Sequence, residues 1–336
     1  MNLDLLEKVL EKQSSYRLKQ AKLAVFGELV ENWSEAKTLP LVLQKELNEK
    51  CPLDIKTENI QESKNTTKIL LVLDDGLKIE TVLMSHPDKN GGGRRRNTVC
   101  VSSQVGCSLG CKFCTTGKSG FKRNLTVWEI IEQVLFFARK LKDKNERVDN
   151  VVFMGMGEPF LNYENVMEAI RLLNSKDGME IGARSISVST SGIVEGIKKL
   201  AGENLQANLA ISLHASNDEL RSKLMPVNKK YPLKNVLKAV DEYLVKTNRK
   251  VMFEYIMIDG VNDSGEHANE LAGLMKKKLY LVNLIPYNQT DVFNPSSPER
   301  IKQFREILEK DGISVTQRFR FGEKIKAACG QLAGED

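Results

Sequence analysis

Three cysteines stand within eight residues, in Cys107-Ser-Leu-Gly-Cys111-Lys-Phe-Cys114. The C-x3-C-x2-C spacing lets three thiolates wrap one corner of a metal cluster. Zinc sites usually pair two C-x2-C hooks, or one hook with histidines. This chain has only His86, His214 and His267, none beside the loop, and no fourth cysteine nearby. A 4Fe-4S cluster normally takes four cysteine ligands. Three leave one iron open to a substrate or cofactor, the arrangement needed to anchor S-adenosylmethionine and break it reductively into a radical. Gly106 and Gly110 give the backbone freedom to turn around a bulky group. The competing reading is a structural zinc knuckle.

The other cysteines are ambiguous from residue type alone. Cys329 sits in Ala327-Ala-Cys-Gly-Gln331, where Gly330 could let the sulfur reach a pocket. Cys100 lies in an apolar, strand-like run. Each also reads as a buried core thiol. Cys51, before Pro52, has no motif partner. The densest basic stretch is Lys89 with Arg94, Arg95 and Arg96, set in the run Gly91 to Gly93. Such a loop can track phosphates, and it can equally be a solvated surface loop.

The elements that must carry these residues fall into three regions. Residues 1 to about 60 show helical spacing in three patterns: Leu5, Leu6, Val9 and Leu10; Tyr16 to Phe26; and Leu41, Leu43 and Leu47. Two apolar runs, 69–73 and 79–84, flank Asp74-Asp75-Gly76, a hairpin signal. Residues 61–97 thus read as a β hairpin followed by the basic linker. From residue 98 to 336, strands alternate with helices. Strands are expected at 99–103, 151–154, 186–189, 209–213, 251–257, 281–285 and 315–319. Helices start near Thr126, Tyr163, Ile193, Leu233, Ser264 and Ser297. Thr126-x-x-Glu129 is a capping box, and Ser297-Pro298 places proline at a first helical position. This alternation means parallel β/α units. About six units are too few for an eight-fold barrel, leaving an open partial barrel or a doubly wound sheet. In both, ligands sit at the carboxyl ends of the strands.

The chain has 336 residues, 41% hydrophobic and 28% charged, with 50 basic and 44 acidic residues, a net charge of +6. That composition excludes disorder or collagen-like structure for the bulk of the chain. No run reaches the ~20 apolar residues of a membrane span. The amphipathic start MNLDLLEKVLEKQ does not resemble a signal peptide. A cytoplasmic protein with reduced cysteines is expected.

Six motifs carry a more specific likeness. They are Thr98-Val-Cys-Val-Ser-Ser-Gln-Val-Gly-Cys107, Phe153-Met-Gly-Met-Gly-Glu-Pro159, Ser189-Thr-Ser-Gly192, Ser212-Leu-His214, Asn283-Leu-Ile-Pro-Tyr-Asn288 and Ala327-Ala-Cys-Gly-Gln-Leu332. In this order they resemble the RlmN/Cfr family of radical S-adenosylmethionine RNA adenine methyltransferases, over residues 80 to 333. The start, with Tyr16-Arg-Leu-Lys-Gln20, more loosely resembles that family's small N-terminal domain.

The resemblance implies a partial (β/α)6 barrel with a small helical N-terminal domain and a short β hairpin extension. It implies a 4Fe-4S cluster on Cys107, Cys111 and Cys114. It implies S-adenosylmethionine bound by Gly157, Glu158, Ser189, Ser212, Leu213, His214 and Asn288. Family members methylate C2 or C8 of adenine, carbons too electron-poor to attack a sulfonium methyl. A cysteine, here Cys329, is methylated first. A 5′-deoxyadenosyl radical from a second S-adenosylmethionine takes a hydrogen from that methyl group, and the carbon radical adds to the base. A carboxylate, here Glu80, accepts the adenine proton. A second cysteine, here Cys100, attacks the sulfur and releases the product, leaving a disulfide.

Implied partners are 23S rRNA at its peptidyl-transferase centre, a tRNA anticodon loop, and an electron donor such as flavodoxin or ferredoxin; a monomer away from membranes is expected. The chain departs from the family at Lys324 and Lys326, where aspartates usually flank Ile325, in a short segment from Asn288 to Pro295, and in a long spacing from Glu80 to Cys100. Pro159 favours the C2 branch. Arg221-Ser-Lys-Leu-Met-Pro226 and Gly260-Val-Asn-Asp-Ser264 look at least as close to the C8 (Cfr) branch. A rival of another class is a non-catalytic RNA-binding protein with a structural iron–sulfur or zinc site.

Overall fold

A computed structural model describes residues 3–87, 95–290, 292–318, 322 and 325–334. Lys89, the Gly91–Gly93 run, Arg94, Phe319 and Lys324 lie outside the described residues, so the basic-loop expectation is met by structure only at Arg95 and Arg96. The strands are β1 (Thr57–Ser63), β2 (Thr66–Val72), β3 (Lys78–His86), β4 (Arg96–Val101), β5 (Gln104–Gly106), β6 (Phe121–Asn124), β7 (Asn150–Phe153), β8 (Ile186–Thr190), β9 (Asn208–Ser212), β10 (Val251–Met257), β11 (Tyr280–Pro286) and β12 (Val315–Gln317).

Ten of them form one sheet in the order β1-β2-β3-β4-β7-β8-β9-β10-β11-β12. From β4 to β12 every neighbour is parallel, and spatial order follows chain order. Each crossover therefore steps one strand in the same direction, and with right-handed connections the helices collect on one face. A doubly wound sheet would reverse at a switch point. The open alternative thus resolves to a partial barrel of six β/α units closed by β12. β10 and β11 are buried along almost their whole length, as parallel strands covered on both faces are.

The helices start where their caps direct them. Thr126 Oγ1 accepts the Glu129 N–H while the Glu129 carboxylate accepts the Thr126 N–H, opening the helix Val127–Lys142. Ser264 and Ser297 cap Gly265–Leu274 and Pro298–Lys310. A short helix, Asp218–Leu224, was not anticipated; two turns are too few to establish a helical period. The Asp75-Gly76 turn joins β2 and β3 as an antiparallel pair, with Gly76 at φ +81°. β1 was also missed, because its only large apolar residue, Ile60, is exposed on an edge strand. β1, β2, β3 and β4 make the antiparallel margin of the sheet. The short hairpin of β5 and β6 frames the cysteine loop.

The helices Leu3–Leu10, Ser15–Lys22 and Leu41–Lys50 pack around Trp33, whose Nε1 donates to the Cys51 carbonyl at 2.7 Å. Cys51 is buried in that small core, consistent with an incidental role. Arg139, on the helix Val127–Lys142, fastens this region to the barrel. It donates to the Leu53 carbonyl at 3.0 Å and to the Val30 carbonyl at 2.8 Å. Among the described residues, no helix is long and apolar enough to cross a membrane. Replacing Arg139 by Leu strands two buried carbonyls, so Arg139→Leu should cost about 2 kcal/mol in urea unfolding and speed proteolysis within residues 5–53. An unchanged midpoint and cleavage rate would show that apolar packing alone holds the segment.

Candidate active site

A cavity of about 180 Å³ opens at the carboxyl ends of the parallel strands. It gathers Cys100 from the end of β4, the three cysteines of the loop after β5, and Cys329 from the C-terminal segment. Gly157, Glu158, Ser189, Ser212, His214 and Asn288 also line it. Two expected site residues do not. Leu213 is fully buried beside it, its N–H donating to the Glu254 carbonyl and its carbonyl accepting from Arg221 Nε. Glu80 is buried on β3, ion-paired with Lys68 at 2.6 Å. Its carboxylate accepts the Ala333 N–H at 2.7 Å and the Gly334 N–H at 3.3 Å. Glu80 therefore anchors the segment that carries Cys329.

The cysteine loop is shaped by backbone constraints. Gly106 has φ +74°, and a Cβ there would lie 1.8 Å from the Gly120 carbonyl oxygen. Any other residue would force β5 and β6 apart. The Lys112 N–H donates to the Leu224 carbonyl, and the Thr115 N–H to the Gly330 carbonyl. Thr116 Oγ1 donates to the Leu332 carbonyl at 2.6 Å. The loop and the C-terminal segment are thus pinned to each other across the cavity mouth.

Burial, and the proximity of the other thiols, push the Cys107 thiol up to about 12 and Cys111 higher still. Among the described residues, no three histidine, cysteine or carboxylate side chains converge tightly enough for a single metal ion. Three thiols that sense one another's charge yet surround an opening suit a cluster in which each thiolate takes a different iron, and suit a tetrahedral zinc ion less well.

Around this opening the polar groups are ordered. Glu158 Oε2 accepts the Ser191 N–H at 2.7 Å and Oε1 the Phe160 N–H at 3.1 Å. Its own N–H donates to Gln104 Oε1 at 2.8 Å. Gly157 at φ +98° could not carry a Cβ, which would meet Gln104 at 2.5 Å. Burial pushes this carboxyl up, and the amides and hydroxyls around it, from Thr190, Ser191 and Phe160, oppose that rise. His214 accepts the Ile256 N–H at Nδ1, 3.2 Å away, so its ring proton sits on Nε2. The Phe113 ring meets it edge-on, with centroids 5.0 Å apart.

Two charged residues absent from the sequence reading complete the cavity wall. Glu254, buried on β10, accepts Ser189 Oγ at 2.7 Å. Arg318 lies 3.5 Å from Glu254 and contacts the Met154 sulfur. Burial raises the Cys329 thiol above its ordinary range, and the Arg318 guanidinium opposes that rise. Burial also lifts Cys100 to about 12, with Cys329 adding to the effect. Glu254 had a usable signal, being the only charge in the apolar run Val251–Met257. Arg318 had none, since it stands among other basic residues.

Known proteins resemble the chain over most of its length. A model of the radical SAM superfamily matches residues 101–272. The chain is 47% identical over 323 residues to a probable dual-specificity RNA methyltransferase RlmN of Dictyoglomus thermophilum, covering 95% of this chain and 91% of that protein. It is 43% identical over 322 residues to a ribosomal RNA large subunit methyltransferase N of Nitrosopumilus maritimus, covering 94% and 92%. The crystal structure of a radical SAM methyltransferase from Sphaerobacter thermophilus superimposes with a TM-score of 0.93 at 44% identity, over 100% of this chain and 98% of that one.

Two outcomes follow from the charges. Burial and the Arg221 charge pull His214 down to about 3, so it stays neutral when folded while an unfolded histidine protonates near 6.5. Stability should therefore fall as pH drops from about 6.5 toward 3. His214→Gln should flatten that part of the melting-temperature profile, and an identical slope would exclude His214 as its source. Arg318→Met should slow iodoacetamide capture of Cys329 at pH 8 at least about tenfold, since an opposite charge nearby is worth one pKa unit or more. Peptide mass spectrometry reads the site, and an unchanged rate would show that Arg318 does not support the thiolate.

Proposed function

The chain belongs to the RlmN family of radical S-adenosylmethionine RNA methyltransferases, and we propose that it methylates C2 of an adenine in the peptidyl-transferase centre of 23S rRNA and of an anticodon-loop adenine of tRNA. The observation that carries this reading is the placement of Cys329 and Cys100 on the same cavity as Cys107, Cys111 and Cys114. A methyl carrier, a second thiol and a cluster loop then share one enclosed space.

In this reading Cys107, Cys111 and Cys114 hold a 4Fe-4S cluster. Gly157, Glu158, Ser189, Ser212, His214 and Asn288 hold S-adenosylmethionine. Bound together, these groups supply a one-electron cleavage that yields a hydrogen-abstracting carbon radical. The chain's own residues do the rest. Arg318 offsets the burial penalty on the Cys329 thiolate, which accepts the methyl group. The enclosed cavity keeps water from the carbon radical that forms on that methyl. Cys100 then attacks the Cys329 sulfur. The adduct radical having first given up one electron to the redox centre, a disulfide forms as the sulfur–carbon bond breaks. That bond's electron pair stays with the methylene carbon, which takes up a proton and remains on the adenine as the methyl group. Glu80 can accept the adenine proton only after the Ala333 and Gly334 amides leave its carboxylate, so base catalysis requires movement of the C-terminal segment.

Residues 1–60 and the linker in 61–97 serve as RNA contacts beside the catalytic part, 98–336. The adenine must be exposed in a loop or flipped out to reach the cavity. A small acidic redox protein of the flavodoxin or ferredoxin kind supplies the electron, and the enzyme acts as a cytoplasmic monomer. The test is anaerobic: reconstituted protein, S-adenosylmethionine, reductant and protein-free 23S rRNA, followed by digestion and mass spectrometry. 2-Methyladenosine is expected. 8-Methyladenosine would move the protein to the Cfr branch, and no S-adenosylmethionine cleavage would end the enzymatic reading. Cys329→Ala should keep its iron and its cleavage of S-adenosylmethionine but give no methyladenosine. Retained methylation would remove Cys329 as the carrier.

A further inference from the structure

Arg221, in the short helix Asp218–Leu224, is fully buried. Its guanidinium makes five hydrogen bonds. Nε donates to the Leu213 carbonyl at 3.1 Å, and Nη1 to Asn228 Oδ1 at 2.8 Å and the Tyr231 carbonyl at 3.3 Å. Nη2 donates to the Ser191 carbonyl at 2.6 Å and the Ser212 carbonyl at 3.2 Å. Every one of these acceptors is neutral. Asp218 reaches it only indirectly, through Asn228 Nδ2, which donates to Asp218 Oδ1 at 2.9 Å. Burial draws the guanidinium down to about 10, so it keeps its charge at neutral pH. A buried cation whose hydrogen-bond acceptors are all neutral is expensive; the Asp218 charge favours it from behind Asn228, but the five acceptors satisfy its donors without cancelling its charge.

The position of the helix shows what balances it. The Leu224 carbonyl accepts the Lys112 N–H at 2.9 Å, so this helix braces the loop between Cys111 and Cys114. Cys111 is the group whose negative charge would most stabilise Arg221, and Arg221 in turn favours charge on Cys111. Three carbonyls it grips, at Ser191, Ser212 and Leu213, belong to the strand ends at the S-adenosylmethionine site. The guanidinium is therefore locked to those strand ends, while the last carbonyl of its own helix braces the cysteine loop.

We propose that Arg221 is a positioning residue that supplies the buried counter-charge for the cysteine loop and thereby raises the reduction potential of the cluster held there. This rests on the reading of Cys107, Cys111 and Cys114 as cluster ligands. Three thiolates make the site anionic, and reduction by one electron from an added reductant makes it more so, with no bond made or broken. A fixed positive charge nearby stabilises the reduced form more than the oxidised form, and net charge is one of the levers on such potentials. The same charge that is costly to bury in the empty protein is compensated once the thiolates form.

The test is a dithionite titration of the reconstituted protein, followed by electron paramagnetic resonance. Arg221→Gln removes the charge, and Arg221→Lys keeps it while losing the five-way fork. In Asn228→Asp, made together with Asp218→Asn so that no second carboxylate faces it at the 2.9 Å contact, the fork remains and a carboxylate neutralises it at Nη1. The reduced-to-oxidised ratio at a fixed potential should fall at least about tenfold in Arg221→Gln and in the double variant, a downward shift of about 59 mV for one electron. Arg221→Lys should stay near the wild type. Equal shifts in Arg221→Lys and Arg221→Gln would overturn the proposal, because geometry rather than charge would then be responsible. A wild-type midpoint in the loaded double variant would overturn it too, and decides the matter if Arg221→Gln fails to hold iron. Failure of the wild type itself to take up four irons would sink the cluster reading and this inference with it. A loaded wild type with unshifted variants sinks the inference alone.

Discussion

Five thiols face one buried cavity, and water is too scarce there to stabilise charge on them. Burial is the largest influence on Cys100, Cys107, Cys111 and Cys329, and in each it disfavours the thiolate. Methyl transfer, cluster ligation and disulfide exchange all need the thiolate. The site is therefore arranged around compensating that penalty. Arg318 lies toward Cys100 and Cys329, the thiols assigned to carbon transfer. Arg221 lies toward Cys111, a thiol assigned to the cluster. Glu254 works against Arg318, raising Cys329 while holding Ser189. The two guanidiniums thus divide the cavity into two electrostatic regions.

The fold explains how so many groups share one place. Because β4 and β7 through β12 follow one another in space as in sequence, seven consecutive strand ends open on the same side. The loop after β5 and the C-terminal segment then close that side from above, joined by Thr115, Thr116 and Asn288. The antiparallel strands β1 to β3 add the margin from which Glu80 reaches the last residues of the segment. Burying Glu80 with Lys68 keeps this carboxylate compensated while it caps two backbone amides.

The parallel half was legible in the sequence because its signals are local. Thr126 and Glu129, Ser264, and Ser297 with Pro298 mark helix starts through short-range hydrogen bonds, and the strands are apolar runs. β1 was not legible, since an edge strand with one large apolar residue has little pattern to read. The cysteine spacing and the carboxyl-end placement of Gly157, Glu158, Ser189 and Ser212 were legible for the same local reason. Arg221, Arg318 and the engagement of Glu80 were not. Each acquires its role from partners 7 to 254 residues away, as the contacts of Arg221 with Asn228 and of Glu80 with Gly334 show. A family likeness can assign Glu80 a proton, but only the folded chain shows the carboxylate occupied by backbone amides.

The C-terminal segment is held by capping contacts rather than by a strand ladder, and its backbone is not relaxed. Lys326 adopts φ +48° and Gly330 φ +83°, left-handed turns on either side of Ala327–Cys329. The lysine pays about 1 kcal/mol for a conformation that suits glycine. Gly322 adds to the constraint, since a Cβ there would lie 2.7 Å from that of Ala327. In the proposed reaction the Cys329 sulfur meets a methyl donor, an adenine and the Cys100 thiol in turn. A segment locked into the sheet could meet only one of them. One bent at both ends and fastened by Asn288, Thr115, Thr116 and Glu80 can exchange those fastenings singly, each hydrogen bond being worth about 1 kcal/mol. Lys326, where the family resemblance leads one to expect an aspartate, falls at one of those bends and has an exposed side chain. It therefore bears on how the segment turns and on what it meets outside the cavity, and leaves the charge balance inside to Arg318, Arg221 and Glu254.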